Sequence, residues 1–444
     1  MDDVLITNTP VSEIIDGAYK EYAMYTLEQR AIPSAIDGFK PVHRKLVYAM
    51  IKMCPTGKIK LAEAGGSLSS FNYHHGETSA MGAGVSLAAG YMNIAPVLEG
   101  HGAFGSRLVQ EAAQPRYIYI SLSKNFKKYF IDEEVAPKNA DVDNPEPAHF
   151  LPIIPWVLVN GVSGIAVGFK ASILPRKPKD LAKAVAACID DREKYLKLNK
   201  IILPTFPDFR GDVEHVEGNQ YLTRGKVDYI GKYTYNISEV PVGHDRASYL
   251  KILNDLYEAD KIKDYDDKCS GAGFGFDVKV SVSQKVEIDK DPVKFFKLEK
   301  TYTEILTTIG YDGKLKIFQN VSELVDYFVT YRTSKFGDKI EWEREVLKSS
   351  IKKMNHKQRF IQAIVDRSLV PSGMKKLALE AWITNNIDDS DEARKLAALP
   401  LYSCTIDEVE KLKSEIMEKY AILAELLKTN ATIRYKEVLN GMQT

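Results

Sequence analysis

Arg30-Ala31-Ile32-Pro33-Ser34-Ala35-Ile36-Asp37-Gly38-Phe39-Lys40-Pro41-Val42-His43-Arg44-Lys45 joins two stretches of helical periodicity. Upstream lies EIIDGAYKEYAMYTLEQRA (residues 13–31); downstream lies VHRKLVYAMIKM (42–53), with Val42, Leu46, Val47 and Met50 at helical spacing. Between them, Pro33 to Pro41 reads as a turn that Asp37 and Gly38 fix, Gly38 being free to take a positive φ. Helix, turn and a second helix carrying Arg44 and Lys45 fit a helix-turn-helix reader. Basic residues on a helix are also what an ordinary solvated face looks like.

Outward from this block, Ala62 to Gly105 is rich in Gly, Ser and Ala, which predicts closely packed backbone and turns. RYIYISLS (116–123) alternates as a strand, with Tyr117, Tyr119 and Ser121 on one face and Ile118, Ile120 and Leu122 on the other. Residues 151–320 mix strand-like runs (VEHVEGNQYLTRGKVDYI, YTYNISEVPV, FGFDVKVSV) with two helices, KDLAKAVAACI and RASYLKILNDLYEA. This is the pattern of an α+β domain built on a mostly antiparallel sheet, and the Asp-rich run from Asp260 to Asp267 reads as a solvated loop. Asn320 to Asn355 holds no Pro, and a continuous helix there would reach about 54 Å at ~1.5 Å per residue. Ile406 to Leu439 repeats apolar residues every three or four positions. The two could pair as an antiparallel coiled coil capped by a small helical module over 356–405. An ordinary helical bundle has the same periodicity.

Composition bounds the class. The chain has 444 residues, 45% of them hydrophobic, with 60 Lys+Arg against 60 Asp+Glu. At about 100–200 residues per domain, two to four domains are expected, and dominant disorder is excluded. Cys54, Cys188, Cys269 and Cys404 are scattered and contain no Cys-x-x-Cys pair, so a reducing, cytoplasmic setting is expected. The N-terminus lacks a basic start followed by an apolar core. FLPIIPWVLVNGVSGIAVGF (150–169) has the length of a membrane span, but Pro152, Pro155, Asn160, Gly161, Gly164 and Gly168 would break a lipid-exposed helix. No membrane partner is expected.

The zero charge balance is uneven locally. Between Gly100 and Phe130, Arg107, Arg116, Lys124, Lys127 and Lys128 face only Glu111. From Lys170 to Lys183 the bases Lys170, Arg176, Lys177, Lys179 and Lys183 face Asp180, whereas Asp132 to Glu146 is acidic. With screening over about 8 Å, a polyanion responds to such patches and not to the sum.

Common catalytic signatures are missing: no phosphate-binding G-x-x-x-x-G-K-[ST] loop and no His-Glu-x-x-His site occurs. Gly100-His101-Gly102-Ala103-Phe104-Gly105 matches G-x-G-x-x-G but lacks a strand-turn-helix context, so it does not read as a dinucleotide site.

Several blocks occur together and in order. Arg30 to Lys45 is followed by Tyr73-His74-His75-Gly76-Glu77, Gly100 to Arg107, Pro115-Arg116-Tyr117-Ile118, Leu151 to Pro155 and Asn160 to Ile165. Phe209-Arg210-Gly211, Ile237 to Pro241 and Leu399-Pro400-Leu401-Tyr402 extend the series. This ordered set strongly resembles the DNA-breaking subunit of type IIA topoisomerases over nearly the whole chain. The paired histidines and the PRYI context look like eukaryotic and T-even phage members; His43 in KPVHR looks bacterial.

The resemblance implies an α+β multidomain fold: an N-terminal helical arm (1–29), a winged-helix cleavage domain (30–150), a tower domain (151–320), and a long antiparallel coiled coil with a small helical C-gate dimerisation module (321–444). It implies a homodimer on double-stranded DNA that makes a transient double-strand break and passes a second duplex. No segment resembles an ATPase or a metal-binding TOPRIM domain. Mg²⁺ and ATP are therefore expected on a separate partner subunit, with no metal held in this chain. A tyrosine hydroxyl has a reference pKa near 10, so one attacking a phosphodiester needs a cation nearby. By resemblance Tyr117 is the nucleophile and Arg116 neutralises the scissile phosphate, with Tyr119 as rival. Arg30, Lys40, Arg44 and His75 match residues that contact DNA phosphates or support the cleavage centre. Ile173 falls where the family places an apolar wedge between base pairs, with Leu174 as the alternative. The other reading is a winged-helix DNA-binding dimer that has lost cleavage.

Overall fold

The computed structural model describes residues 10–387 and 395–443. The chain forms two compact units, one running to Arg332 and including Met442, the other Thr333–Gly441. Residues 1–9 of the expected arm and 388–394 of the expected C-terminal module lie outside the described residues.

The first unit begins with a helical arm in which α-helical turns (Val11–Ile14, Lys20–Thr26) alternate with π-helical ones (Ile15–Tyr19, Leu27–Ala31). The turn after Ala31 is built around one carboxylate. Asp37 is fully buried and accepts from the Phe39 and Phe150 N–H groups at 3.0 and 2.9 Å, and from both Nε and Nη2 of Arg44. Gly38 takes φ +69°, and a Cβ there would stand 2.7 Å from the Cα of Val157, so both conformation and space demand glycine.

Pro41–Met53 (α1), Leu61–Gly66 (α2) and Glu77–Ala88 (α3) then pack around Leu46, Leu61 and Ala80. The Ala/Gly-rich stretch is thus largely helical, its small side chains letting α2 and α3 approach closely. A small antiparallel sheet flanks them: Ile59–Lys60 (β1), Leu98–His101 (β2) and Tyr119–Leu122 (β3), in the order β1-β3-β2. Lys45 of α1 is buried against Glu146, with its ammonium 2.9 Å from Oε1, which ties the acidic 132–146 segment into this unit.

The apolar stretch 150–169 forms no long helix. It is buried from Phe150 to Val159 and then enters a hairpin of Val162–Ile165 (β4) and Lys170–Ile173 (β5). No helix among the described residues is long and apolar enough to cross a membrane. The hairpin rests on the end of the arm: a Cβ on Gly164 would meet the Ala31 carbonyl oxygen at 2.0 Å, and Ala171 packs with Leu27, Ala31 and Ile32.

After the helix Pro178–Asp190 (α4), strands Asp212–His215 (β6), Gln220–Arg224 (β7), Lys226–Gly231 (β8) and Thr234–Glu239 (β9) lead to the helix Arg246–Glu258 (α5). Asp264–Asp267 (β10), Phe276–Lys279 (β11) and Glu299–Thr303 (β12) complete two antiparallel sheets, ordered β10-β11-β9-β8 and β12-β7-β6. Tyr235, Tyr249, Leu253, Phe276 and Phe296 form their core. The Asp-rich run is therefore half strand and not simply a solvated loop: β10 pairs with β11, and Lys279 bridges Asp264 and Asp266 across the edge. A last hairpin, Leu306–Ile309 (β13) with Leu315–Phe318 (β14), returns to the opening turn through the Ala35 N–H to Ile309 carbonyl bond at 2.8 Å.

Val321–Val365 (α6) is one helix, about 68 Å at ~1.5 Å per residue, longer than its sequence pattern predicts. The second periodic stretch divides at Thr429 into Ile406–Lys428 (α8) and Ala431–Gln443 (α9), with Lys376–Ile387 (α7) preceding them. Within the second unit Phe336 packs on Tyr435, Arg344 bonds the Leu426 carbonyl and Lys357 pairs with Glu408. The partners descend in number as α6 ascends, so the helices run antiparallel. Phe360, Ile361, Leu369, Ile383, Leu396, Val409 and Leu412 form a separate apolar core near the far end of α6.

Candidate active site

Tyr117 does not lie on a strand. It closes a turn whose N–H bonds the Gln114 carbonyl at 2.9 Å, and β3 begins two residues later. This corrects the strand reading, in which Tyr117 and Tyr119 share a face. Ile118 is buried and bonds Leu61 through its carbonyl, so the backbone is anchored directly beside a side chain that is 67% exposed. The Arg116 guanidinium stands 5.0 Å from the centre of the Tyr117 ring, a cation–π distance that holds positive charge at the phenol. Tyr119 is half-buried in β3, opposite Lys60 and His101. Tyr117 is the more accessible of the two.

Arg30, Lys40 and His75 line one cavity of about 460 Å³ together with His43 and Tyr73. Arg30 is exposed at the end of the arm. Lys40 donates to the Ser163 carbonyl at 2.8 Å, and burial lowers its pKa. His75 shares a 3.0 Å hydrogen bond with the Tyr25 hydroxyl and meets Tyr73 edge-on. His43 is pushed down to about 3 by burial and by the Lys40 and Arg44 charges, with Asp37 opposing. The cavity is thus a cationic recess in which His43 stays neutral. Its lining includes neither Arg116 nor Tyr117.

Two expected contacts are not available. Arg44 is buried and engaged bidentately by Asp37, with Nη2 also reaching the Phe39 carbonyl at 3.3 Å, so it holds the turn and cannot meet a phosphate. Ile173 is 3% exposed and paired with Val162 in the β4–β5 hairpin; Leu174 is buried too, its N–H bonding Glu304. The hairpin instead presents Ile165, 81% exposed, at the end of β4. The basic patches thin in the same way: Arg176 is fully buried in a bidentate pair with Glu304, and Arg107 is engaged by Glu239. Among the described residues no three of His, Cys, Asp and Glu cluster as a metal site. The G-x-G-x-x-G match sits on β2 and the loop after it, where Gly102 and Gly105 take positive φ and no helix follows.

Residues 30–441 match the family model for the A-type chain of DNA gyrase and topoisomerase IV. The chain belongs to this family. It is 35% identical over 424 residues to the DNA topoisomerase medium subunit of Enterobacteria phage T4, covering 93% of this chain and 94% of that protein. It is 28% identical over 382 residues to human DNA topoisomerase 2-alpha, covering 82% of this chain and 25% of that one. The chain thus spans nearly the whole phage subunit but only a quarter of the human enzyme. In fold it is similar to the Plasmodium falciparum topoisomerase II DNA-binding, cleavage and re-ligation domain, with a TM-score of 0.85, 24% identity, and coverage of 97% of this chain and 64% of that one. It is a family member of mixed α+β architecture, a type II topoisomerase chain of the cleavage and re-ligation class.

Proposed function

We propose that this chain breaks and rejoins double-stranded DNA through a phosphotyrosyl link at Tyr117, in a homodimer assembled with a separate ATPase/TOPRIM subunit. The observation that carries the reading is the exposed Tyr117 hydroxyl with the Arg116 guanidinium over its ring, on a backbone anchored by the buried Ile118. Tyr117 oxygen attacks phosphorus; the new P–O bond replaces the bond to the 3′ oxygen, which leaves as a hydroxyl. Arg116 offsets the charge that builds on the phosphate in the transition state. One phosphodiester replaces another, so resealing is the same step reversed and ATP serves movement alone.

Residues 30–150 serve as the winged helix, with α1–α3 against the β1-β3-β2 sheet, and residues 151–320 as the tower. From 321 onward the antiparallel helices and their terminal core serve as coiled coil and dimer gate. Arg30, Lys40 and His75 hold the DNA backbone in their shared recess, and Ile165 is the wedge that unstacks and bends the duplex. Mg²⁺ and ATP come from the partner subunit. The chain acts in the cytoplasm, in a phage-infected host if it is phage-encoded. Trapping the holoenzyme on DNA with detergent tests the reading: wild type gives protein-linked DNA at Tyr117 and Tyr117→Phe gives none. A chain that never forms adducts with its partner present would instead be a DNA-binding dimer without cleavage.

A further inference from the structure

Between β2 and β3 the chain makes an excursion over residues 102–118 with no regular secondary structure, longer than the about 12–15 residues usual for such loops. Arg116 and Tyr117 sit on its descending limb. An irregular loop of this length would leave a nucleophile poorly placed unless something else held it.

The loop is held at two levels. Near its base the Ala113 N–H bonds the Ala103 carbonyl at 2.9 Å, and the Tyr91 hydroxyl bonds the Gln110 carbonyl at 3.0 Å. Its tip, Ser106 to Val109, closes on itself through the Ser106 N–H to Val109 carbonyl bond at 2.7 Å and carries one large cation, Arg107. That side chain leaves its own sheet and enters the β9 region. Nη1 bonds Glu239 Oε1 at 2.8 Å and the Asp208 carbonyl at 3.1 Å, and Nη2 bonds the Val240 carbonyl at 3.2 Å. The guanidinium is 5.3 Å from the Phe209 ring and 5.1 Å from the Phe274 ring. Glu239 is buried and spends its other oxygen on the Arg210 N–H at 3.0 Å. Beside it, the first N–H of α5, at Arg246, bonds the Leu108 carbonyl at 3.2 Å.

We infer that Arg107 is a positioning residue, a plug seated on Glu239 between Phe209 and Phe274, through which the β8–β11 sheet and α5 set the placement of the Arg116–Tyr117 limb. The inference rests on the reading of Tyr117 as nucleophile. A forked guanidinium is what the site demands, because three acceptors and two ring faces are served at once. The same geometry makes the tower a mechanical input to cleavage: a displacement of β9 pulls the loop tip before anything else.

The test uses the holoenzyme and one oligonucleotide duplex, and reads both the single-turnover rate of adduct formation and the Kd for DNA. Arg107→Gln and Glu239→Gln should each slow adduct formation about ten- to a hundredfold, the loss expected of a misplaced nucleophile. Kd should stay within about twofold, well under the tenfold that one lost contact of about 1.4 kcal/mol would give. The double variant should lose no more than the worse single one, and Arg107→Lys should recover part of the rate. Wild-type rates in both single variants, additive losses, or a Kd that rises as far as the rate falls would overturn the proposal, the last marking Arg107 as a DNA ligand. If Arg107→Gln does not fold, Phe274→Leu leaves the ion pair intact and loosens the stack: slower adduct formation at unchanged Kd supports the plug, and an unchanged rate overturns it. A Tyr117→Phe control that still forms adducts overturns the nucleophile assignment and not the plug.

Discussion

Arg44 and Asp37 face each other inside the protein, Nε to Oδ2 at 2.9 Å and Nη2 to Oδ1 at 3.1 Å, seven residues apart along the chain. Removing either partner leaves a buried charge uncompensated, which costs about 3–5 kcal/mol. Arg44→Ala and Asp37→Ala should therefore each lower the unfolding free energy by that amount, read from denaturant titration. The cycle formed with the double variant should be strongly non-additive. If Arg44 instead acted on DNA, its removal would leave stability intact and flatten the salt dependence of binding.

Arg116 has the opposite character. Its side chain is exposed and its guanidinium stands over Tyr117. Arg116→Ala should leave thermal stability within about 0.5 kcal/mol of wild type, as for most surface changes. Adduct formation should fall by about 10²–10³, the range for losing one donor at a charge that develops in the transition state. Tyr119→Phe should cleave normally, and a loss of adducts there would transfer the nucleophile to Tyr119.

The hairpin offers a paired comparison. Ile165 is exposed and Ile173 is packed, though both belong to the same two strands. Ile165→Ala should reduce the bend of a doubly labelled duplex, read by energy transfer, without changing stability. Ile173→Ala should cost about 2–5 kcal/mol as a core truncation and leave the bend per bound molecule unchanged. The reverse pattern would restore Ile173 as the wedge.

His43 predicts a pH dependence. Its pKa falls from 6.5 in the unfolded chain to about 3 in the folded one. Between those values the unfolded state binds the extra proton, so stability rises with pH across the window and is lost as pH drops from about 6.5 toward 3. The slope from this residue is at most about 1.4 kcal/mol per pH unit. His43→Gln should remove that component from the pH profile of the unfolding free energy. A profile unchanged by the substitution would mean that His43 is protonated in the fold.

Much of the architecture is legible in the chain because its signals are local. The Asp-Gly turn, the period of α1, α6 and α8, and the alternation of β7 and β9 all follow from neighbours a few residues apart. Even the adjacency of Arg116 and Tyr117 is a fact of the chain. The errors are local readings too: alternation extended the strand back to Tyr117, although the turn at 115–117 interrupts it, and the Asp-rich run concealed the edge strand β10.

What needed the folded backbone was the fate of each charge and each apolar face. Arg107 and Arg176 find their acids 132 and 128 residues away, at Glu239 and Glu304, and no periodicity carries a pairing over such a separation. Counted along the chain they are members of basic patches. Folded, they are buried ion pairs whose field is largely neutralised, because desolvating an unpaired guanidinium would cost far more. The same holds for Ile165 and Ile173, chemically identical residues separated by hairpin geometry and by what packs beneath. The chain names the residues that can do the chemistry; the packing selects those that remain free to do it.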